Sequence, residues 1–219
     1  MAIISHHPLV FQSDRPMIEP KRLAKRVLLI GWDAADWKLI DKYLAEGAMP
    51  NMRRFLDRGA RGNLATLKPV LSPMLWNSIG TGKRAYKHGI HGFTEPMPDG
   101  KGVRPSSSTT RKCKALWNIL TQEGMTTNVV SWFVGHPAEP INGICISDLF
   151  QKVPLNKKNP QHCSLPPLSD GCIFPGSQRE KLAKLRVHPL EVTAEAIKFF
   201  IPQATKIDQK KDPRLKMFA

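Results

Sequence analysis

Long apolar runs are missing from this chain. No stretch approaches the roughly 20 consecutive apolar residues that a membrane helix requires, which argues against a membrane-spanning protein. Met1 to Val10 carries His6, His7 and Pro8 where a secretory leader would hold its apolar segment, so the cytoplasm is the expected compartment. Cysteine is scarce. Cys113, Cys145, Cys163 and Cys172 form no CxxC pair, which argues against a zinc ribbon. Cys163 and Cys172 are spaced to bridge in an oxidising compartment, but without a leader free thiols are expected. Acidic residues are also few: 18 Asp and Glu against 33 Lys and Arg give a net charge of +15.

A basic balance of this size suits nucleic acid, an anionic surface, or a chain whose acidic half lies elsewhere. The basic residues are scattered, as at Lys21-Arg22, Arg53-Arg54 and Lys157-Lys158, and no aromatics interleave with them to stack bases. No specific nucleic-acid partner is expected, and the reading favours a longer protein with its acidic part missing here. The 219 residues suit one domain of α/β size. The 19 prolines imply much loop.

Residues 1–26 read as an irregular lead, broken by Pro8, Pro16 and Pro20. Arg26 to Gly31 is an apolar run that fits a strand buried on both faces of a parallel sheet. Asp33 then falls just beyond its carboxyl end, the edge where open α/β sheets bind ligands. Asp36 belongs to the start of a helix over Trp37 to Glu46, closed by Gly47. A second helix covers Pro50 to Arg58, with Met52, Phe55 and Leu56 as its apolar face. Ala60 to Leu67 reads as a returning strand.

The central stretch is Leu71 to Phe93. Ser72 stands before Pro73 and the helix-like run from Met74 to Ile79. Two readings are open. Ser72 is a helix N-cap, or it is a nucleophile at a helix N-terminus whose N–H groups favour an anionic substrate such as phosphate. Gly80-Thr81-Gly82-Lys83 is not a P-loop, because Asn77 and Arg84 stand where that motif needs Gly and Ser or Thr. Gly80 and Gly82 read as turn and close-packing residues. His88 and His91 are packed histidines or metal ligands, and the glycines around them suggest a loop.

Thr94 to Thr110 is a polar connection. Arg111 to Glu123 reads as a helix burying Leu116, Trp117 and Leu120, and Thr127 to Trp132 as a buried strand. His136 and Glu139 follow in a proline-bounded loop. Gly143 to Ile146 is a short strand with Ser147 and Asp148 after it. Lys152 to Gly176 has no periodicity, and Gln178 to Leu185 and Pro189 to Ile201 read as amphipathic helices.

Two segments together resemble the alkaline phosphatase superfamily, in its type I phosphodiesterase/nucleotide pyrophosphatase-like branch. They are Gly31-Trp32-Asp33-Ala34-Ala35-Asp36, and Pro69-Val70-Leu71-Ser72-Pro73 with Thr81-Gly82-Lys83 and His88-Gly89-Ile90. The similarity spans roughly residues 27 to 210. It implies an α/β fold, an alkaline phosphatase-like sandwich with a largely parallel central sheet, incomplete in this chain. On that basis residues 27–150 are the N-terminal part of the core, and 151–219 a proline-rich insertion with a helical segment. The resemblance also implies a phosphate ester substrate and two divalent metal ions, usually zinc. Asp33 would hold one metal, and Ser72 would be the nucleophile and a metal ligand. The later Asp and His ligands of the family have no counterpart in residues 94 to 219. The expectation is therefore the N-terminal part of such an enzyme, partnered by a missing C-terminal half or another protein, with an inactive or binding-only domain as the alternative. Phe93 occupies the position of an Asn that touches phosphate in some phosphodiesterase relatives.

Overall fold

The computed structural model describes residues 24–151, 167–187, 192–198, 202–203 and 206. The expected irregular lead, most of the 152–176 connection and parts of the final helix lie outside these residues. The chain divides into two compact units, Met1–Arg61 and Gly62–Ala219.

In the first unit, helix α1 spans Trp37–Ala45 and α2 spans Pro50–Arg58. Both follow from local punctuation. The Asp36 carboxylate accepts from the Lys38 N–H at 2.8 Å and caps α1, so Asp36 is the cap residue itself. Pro50 opens α2, where its missing N–H costs nothing. Ile40 and Leu44 are buried on α1, whereas Phe55 on α2 is exposed. Arg61 forks onto Asp41 at 2.6 and 3.0 Å and lies 4.0 Å over the Trp37 ring, fastening the end of this unit to α1.

The expected strand over Arg26 to Gly31 does not form. Val27 and Leu28 are each 84% exposed, and the run makes no ladder with any described segment. The Ala60 to Leu67 strand is absent in the same way, with Leu64 exposed. Apolar content gives a segment the propensity to extend, but a strand exists only when a neighbour pairs with its backbone.

The second unit is built on α3, Ser72–Thr81, followed by the short α4, Ala85–His88. A hairpin joins β1, Thr94–Pro96, to β2, Val103–Pro105, within the expected polar connection. Helix α5 covers Leu116–Gln122. A three-stranded sheet follows in the order β3, β4, β5, spanning Val129–Trp132, Cys145–Ser147 and Ile173–Phe174. β3 and β4 are parallel, and β4 and β5 antiparallel. Short helices α6, Arg179–Ala183, and α7, Ala194–Ile197, complete the order. The architecture is mixed α/β with small sheets, and the described residues contain one parallel pair.

The core of this unit is aromatic. Trp132 packs edge-on against Trp76 at 5.0 Å and Trp117 at 5.5 Å. Its indole N–H donates to the Trp76 carbonyl at 3.1 Å. Gly80 lets α3 approach these rings, because a Cβ there would sit 3.1 Å from Trp132 Nε1 and 3.3 Å from Trp117. Gly82 ends the helix at φ 64°, a conformation that glycine adopts without strain. Cys113, Cys145 and Cys172 are free thiols, and burial pushes Cys145 up from its usual pKa. Among the described residues no helix is long and apolar enough to cross a membrane.

Candidate functional site

Ser72 is the first residue of α3 and half-buried. The cap position belongs to Leu71, in an extended conformation, and no side chain caps the helix from there. Ser72 is therefore the first helical residue rather than the N-cap. Pro73 in the second position fixes the helical φ and brings no N–H. Asn77, fully buried, ties this turn down by donating to the Pro73 carbonyl at 2.8 Å and the Phe133 carbonyl at 3.5 Å. Thr81 donates to the Asn77 carbonyl at 2.6 Å. The start of α3 is thus held by a hydrogen-bonded spine along its own buried face.

His88 is not in a loop but ends α4, with no exposed surface. Its Nδ1 accepts the Ile90 N–H at 3.1 Å, which leaves the ring proton on Nε2. Nε2 lies 3.0 Å from Ser78 Oγ, which donates in turn to the Met74 carbonyl at 2.8 Å. Nδ1 holds the turn after α4 and Nε2 joins α4 to α3, so both ring nitrogens are engaged within the fold and His88 is a packed histidine. Burial holds its pKa below the usual histidine value, and the nearby charges of His91 and Arg111 push in the same direction.

Asp33 is exposed and sits in a turn between the extended 27–30 segment and α1. Ala34, directly after it, adopts φ 57°. Asp33 and Ser72 belong to different units of the chain. Among the described residues no three His, Cys, Asp or Glu side chains converge as a metal centre. Asp33 and Ser72 are oxygen donors of the kind that divalent cations accept, but two donors do not close such a centre.

The loop after β3 carries the groups that the sequence singled out at His136 and Glu139. Glu139 accepts from Arg111 at 2.5 Å, from the Trp117 indole at 2.9 Å and from Asn118 at 2.9 Å. The Arg111 side chain is 3% exposed. Glu139 is thereby committed to the fold. His136 Nδ1 lies 3.2 Å from the buried Ser147 hydroxyl. The part played by Asp148 is not foreseen from its place after the short strand. Its carboxylate accepts from the N–H groups of Val134 at 3.0 Å and Gly135 at 3.1 Å. A carboxylate two residues past an apolar stretch was the only trace of it.

No curated protein and no solved structure matches the chain at a significant level. The family model for type I phosphodiesterase / nucleotide pyrophosphatase matches residues 27–209. That span takes in both the Asp33 turn and the whole of α3, and the chain belongs to the type I phosphodiesterase / nucleotide pyrophosphatase family.

Proposed function

We propose that this chain is part of a metal-dependent phosphoric ester hydrolase in which Ser72 is the nucleophile and Asp33 a metal ligand. The observation that carries the reading is the position of Ser72: first residue of a ten-residue helix, with no side-chain cap from Leu71, inside the matched family span. The positive end of α3 favours a phosphoryl group beside the Ser72 hydroxyl. The Ser72 oxygen attacks phosphorus in line and the alcohol departs, leaving phosphoserine, which water then hydrolyses. His88 does not serve as the base, because its ring is engaged within the fold. A divalent cation, zinc by expectation, would supply Lewis-acid activation of the serine. The rest of its donor set comes from groups beyond the described residues or from another chain. The same reading assigns the chain to an alkaline phosphatase-like sandwich, with β3 and β4 as one pair of a larger parallel sheet.

A non-catalytic domain of the same fold is the second reading, favoured by the lack of three converging metal donors among the described residues. Zinc-dependent hydrolysis of p-nitrophenyl phosphate and bis-p-nitrophenyl phosphate separates the two. Turnover by the wild type that disappears in Ser72→Ala supports the hydrolase. Equal turnover in Ser72→Ala refutes the assignment of Ser72, and no turnover in either chain supports a site incomplete in this chain, whether part of an enzyme or a binding domain.

A further inference from the structure

We infer that His88 is an acid-sensitive latch: a proton on its ring frees the short helix α4 from α3 while the rest of the protein stays folded. One side chain carries the attachment. Helix α4 has four residues, Ala85–His88, and His88 is the buried one among them. Tyr86 is 72% exposed and Lys87 is exposed as well. Gly82 at φ 64° and Gly89 at φ 81° bound the segment, so both of its ends turn on residues that take left-handed backbone without strain. The His88 carbonyl adds one backbone tie, accepting the Lys112 N–H at 2.9 Å.

The seat of the ring suits only its neutral form. Nδ1 accepts the Ile90 N–H at 3.1 Å, and a proton there would set two donors face to face. No free counter-charge stands beside it. Helix α3, which packs on the ring through Ser78, contains no Asp or Glu. Burial disfavours the charged ring first, and His91 after α4 and Arg111 before α5 add like charge. Glu139, the carboxylate paired with Arg111, is already shared with Trp117 and Asn118. Lys112, whose stem packs on Gly89, and Lys87 on α4 itself bring further positive charge to this corner. The Met74 carbonyl favours the proton and is outweighed.

Freed from this seat, the ring binds a proton at its ordinary value near 6.5. The seated ring refuses that proton until the pH is lower. Each pH unit below the ordinary value therefore shifts the equilibrium by up to about tenfold toward the freed form. Release takes from α3 the contact between Ser78 Oγ and Nε2 at 3.0 Å. On the reading of Ser72 given above, the helix that carries the nucleophile loses a brace. The latch itself does not depend on that reading, and its test uses no substrate.

The test is amide hydrogen exchange in the full chain, followed residue by residue between about pH 7 and pH 5. The Ile90 N–H is expected to lose protection by up to about tenfold per pH unit below the ordinary histidine value. The Ile119 N–H in α5 and the Val129 N–H in β3 are expected to hold theirs. In His88→Gln, which has no ring to protonate, Ile90 protection is expected not to vary with pH. The His88 imidazole resonances of the wild type supply a second measurement, needed if that variant does not fold, and are expected to titrate with the midpoint of the Ile90 loss. Ile90 protection that stays flat in the wild type overturns the latch. So does a parallel loss at Ile119 and Val129, which marks unfolding of the whole, an equal loss in His88→Gln, or a His88 titration with a different midpoint.

Discussion

Asp148 holds Val134 in a left-handed conformation. One carboxylate oxygen takes the Val134 N–H and the other the Gly135 N–H, while Val134 itself is buried at φ 60°. Left-handed backbone costs an L-residue about 1–2 kcal/mol, and hydrogen bonds to a charged group offset it. Asp148→Ala is expected to destabilise the protein by about 2–4 kcal/mol, because two backbone N–H groups lose their acceptor. Urea denaturation of the two proteins measures the difference. A change below about 0.5 kcal/mol, as at ordinary surface sites, would show that the turn holds without the carboxylate.

Glu139 is the acceptor for three donors at once, from Arg111, Trp117 and Asn118. Removing it leaves a guanidinium that is almost wholly buried without its counter-charge. Glu139→Ala is expected to cost about 3–5 kcal/mol. Glu139→Gln keeps acceptor capacity for the Trp117 indole but loses the charge, and is expected to fall between the two. Thermal unfolding of the three proteins gives the ranking.

The His88 pKa is held below its ordinary value by burial, with His91 and Arg111 adding to the effect. The folded state therefore keeps this ring neutral at pH values where the unfolded chain already binds a proton. Stability from this residue is full above the unfolded value near 6.5 and falls as the pH drops below it, until the folded-state pKa is reached. Urea midpoints taken between about pH 7 and pH 5 are expected to decline more steeply in the wild type than in His88→Gln. Parallel profiles would place the titration elsewhere.

Gly80 is a contact point between α3 and the tryptophan core. Alanine gains helix propensity there, about 0.5–1 kcal/mol. It also sets a methyl group 3.1 Å from Trp132 Nε1 and 3.3 Å from Trp117, both buried rings. Overpacking a fixed site costs about 1–3 kcal/mol, so Gly80→Ala is expected to be net destabilising by about 1 kcal/mol. A raised melting temperature would show that the rings give way freely.

These residues also show what was legible before folding. Helices α1 and α2 could be read to within a residue or two because their signals are local, from Asp36, Gly47, Pro50 and Gly59. For α3 the expected run from Met74 to Ile79 lies inside a helix that extends to Ser72 and Thr81, so Gly80, expected with Gly82 as a turn or close-packing residue, is helical and only Gly82 makes the turn. The start of α5 was placed too early. Arg111 is drawn away to Glu139, and Asn118 bonds back to the Ala115 N–H at 2.8 Å to set the true beginning. The Asn118 cap lies within a local window, but the pull of Glu139, 28 residues on, does not. Strands at Val27 and Leu64 failed for a related reason, since pairing is a property of two segments. Ser72 and Asp33 were singled out by motif, whereas the link from Asp148 through Val134 to Phe133 needs fourteen residues of chain to fold back on themselves.

The most direct measurement is acid quenching of the zinc-supplied chain during exposure to p-nitrophenyl phosphate, followed by peptide mass spectrometry. The expected result is one added phosphoryl group on the peptide that contains Ser72, absent from Ser72→Ala together with turnover. Turnover that persists in Ser72→Ala, or a phosphoryl group carried by another residue, would contradict Ser72 as the nucleophile.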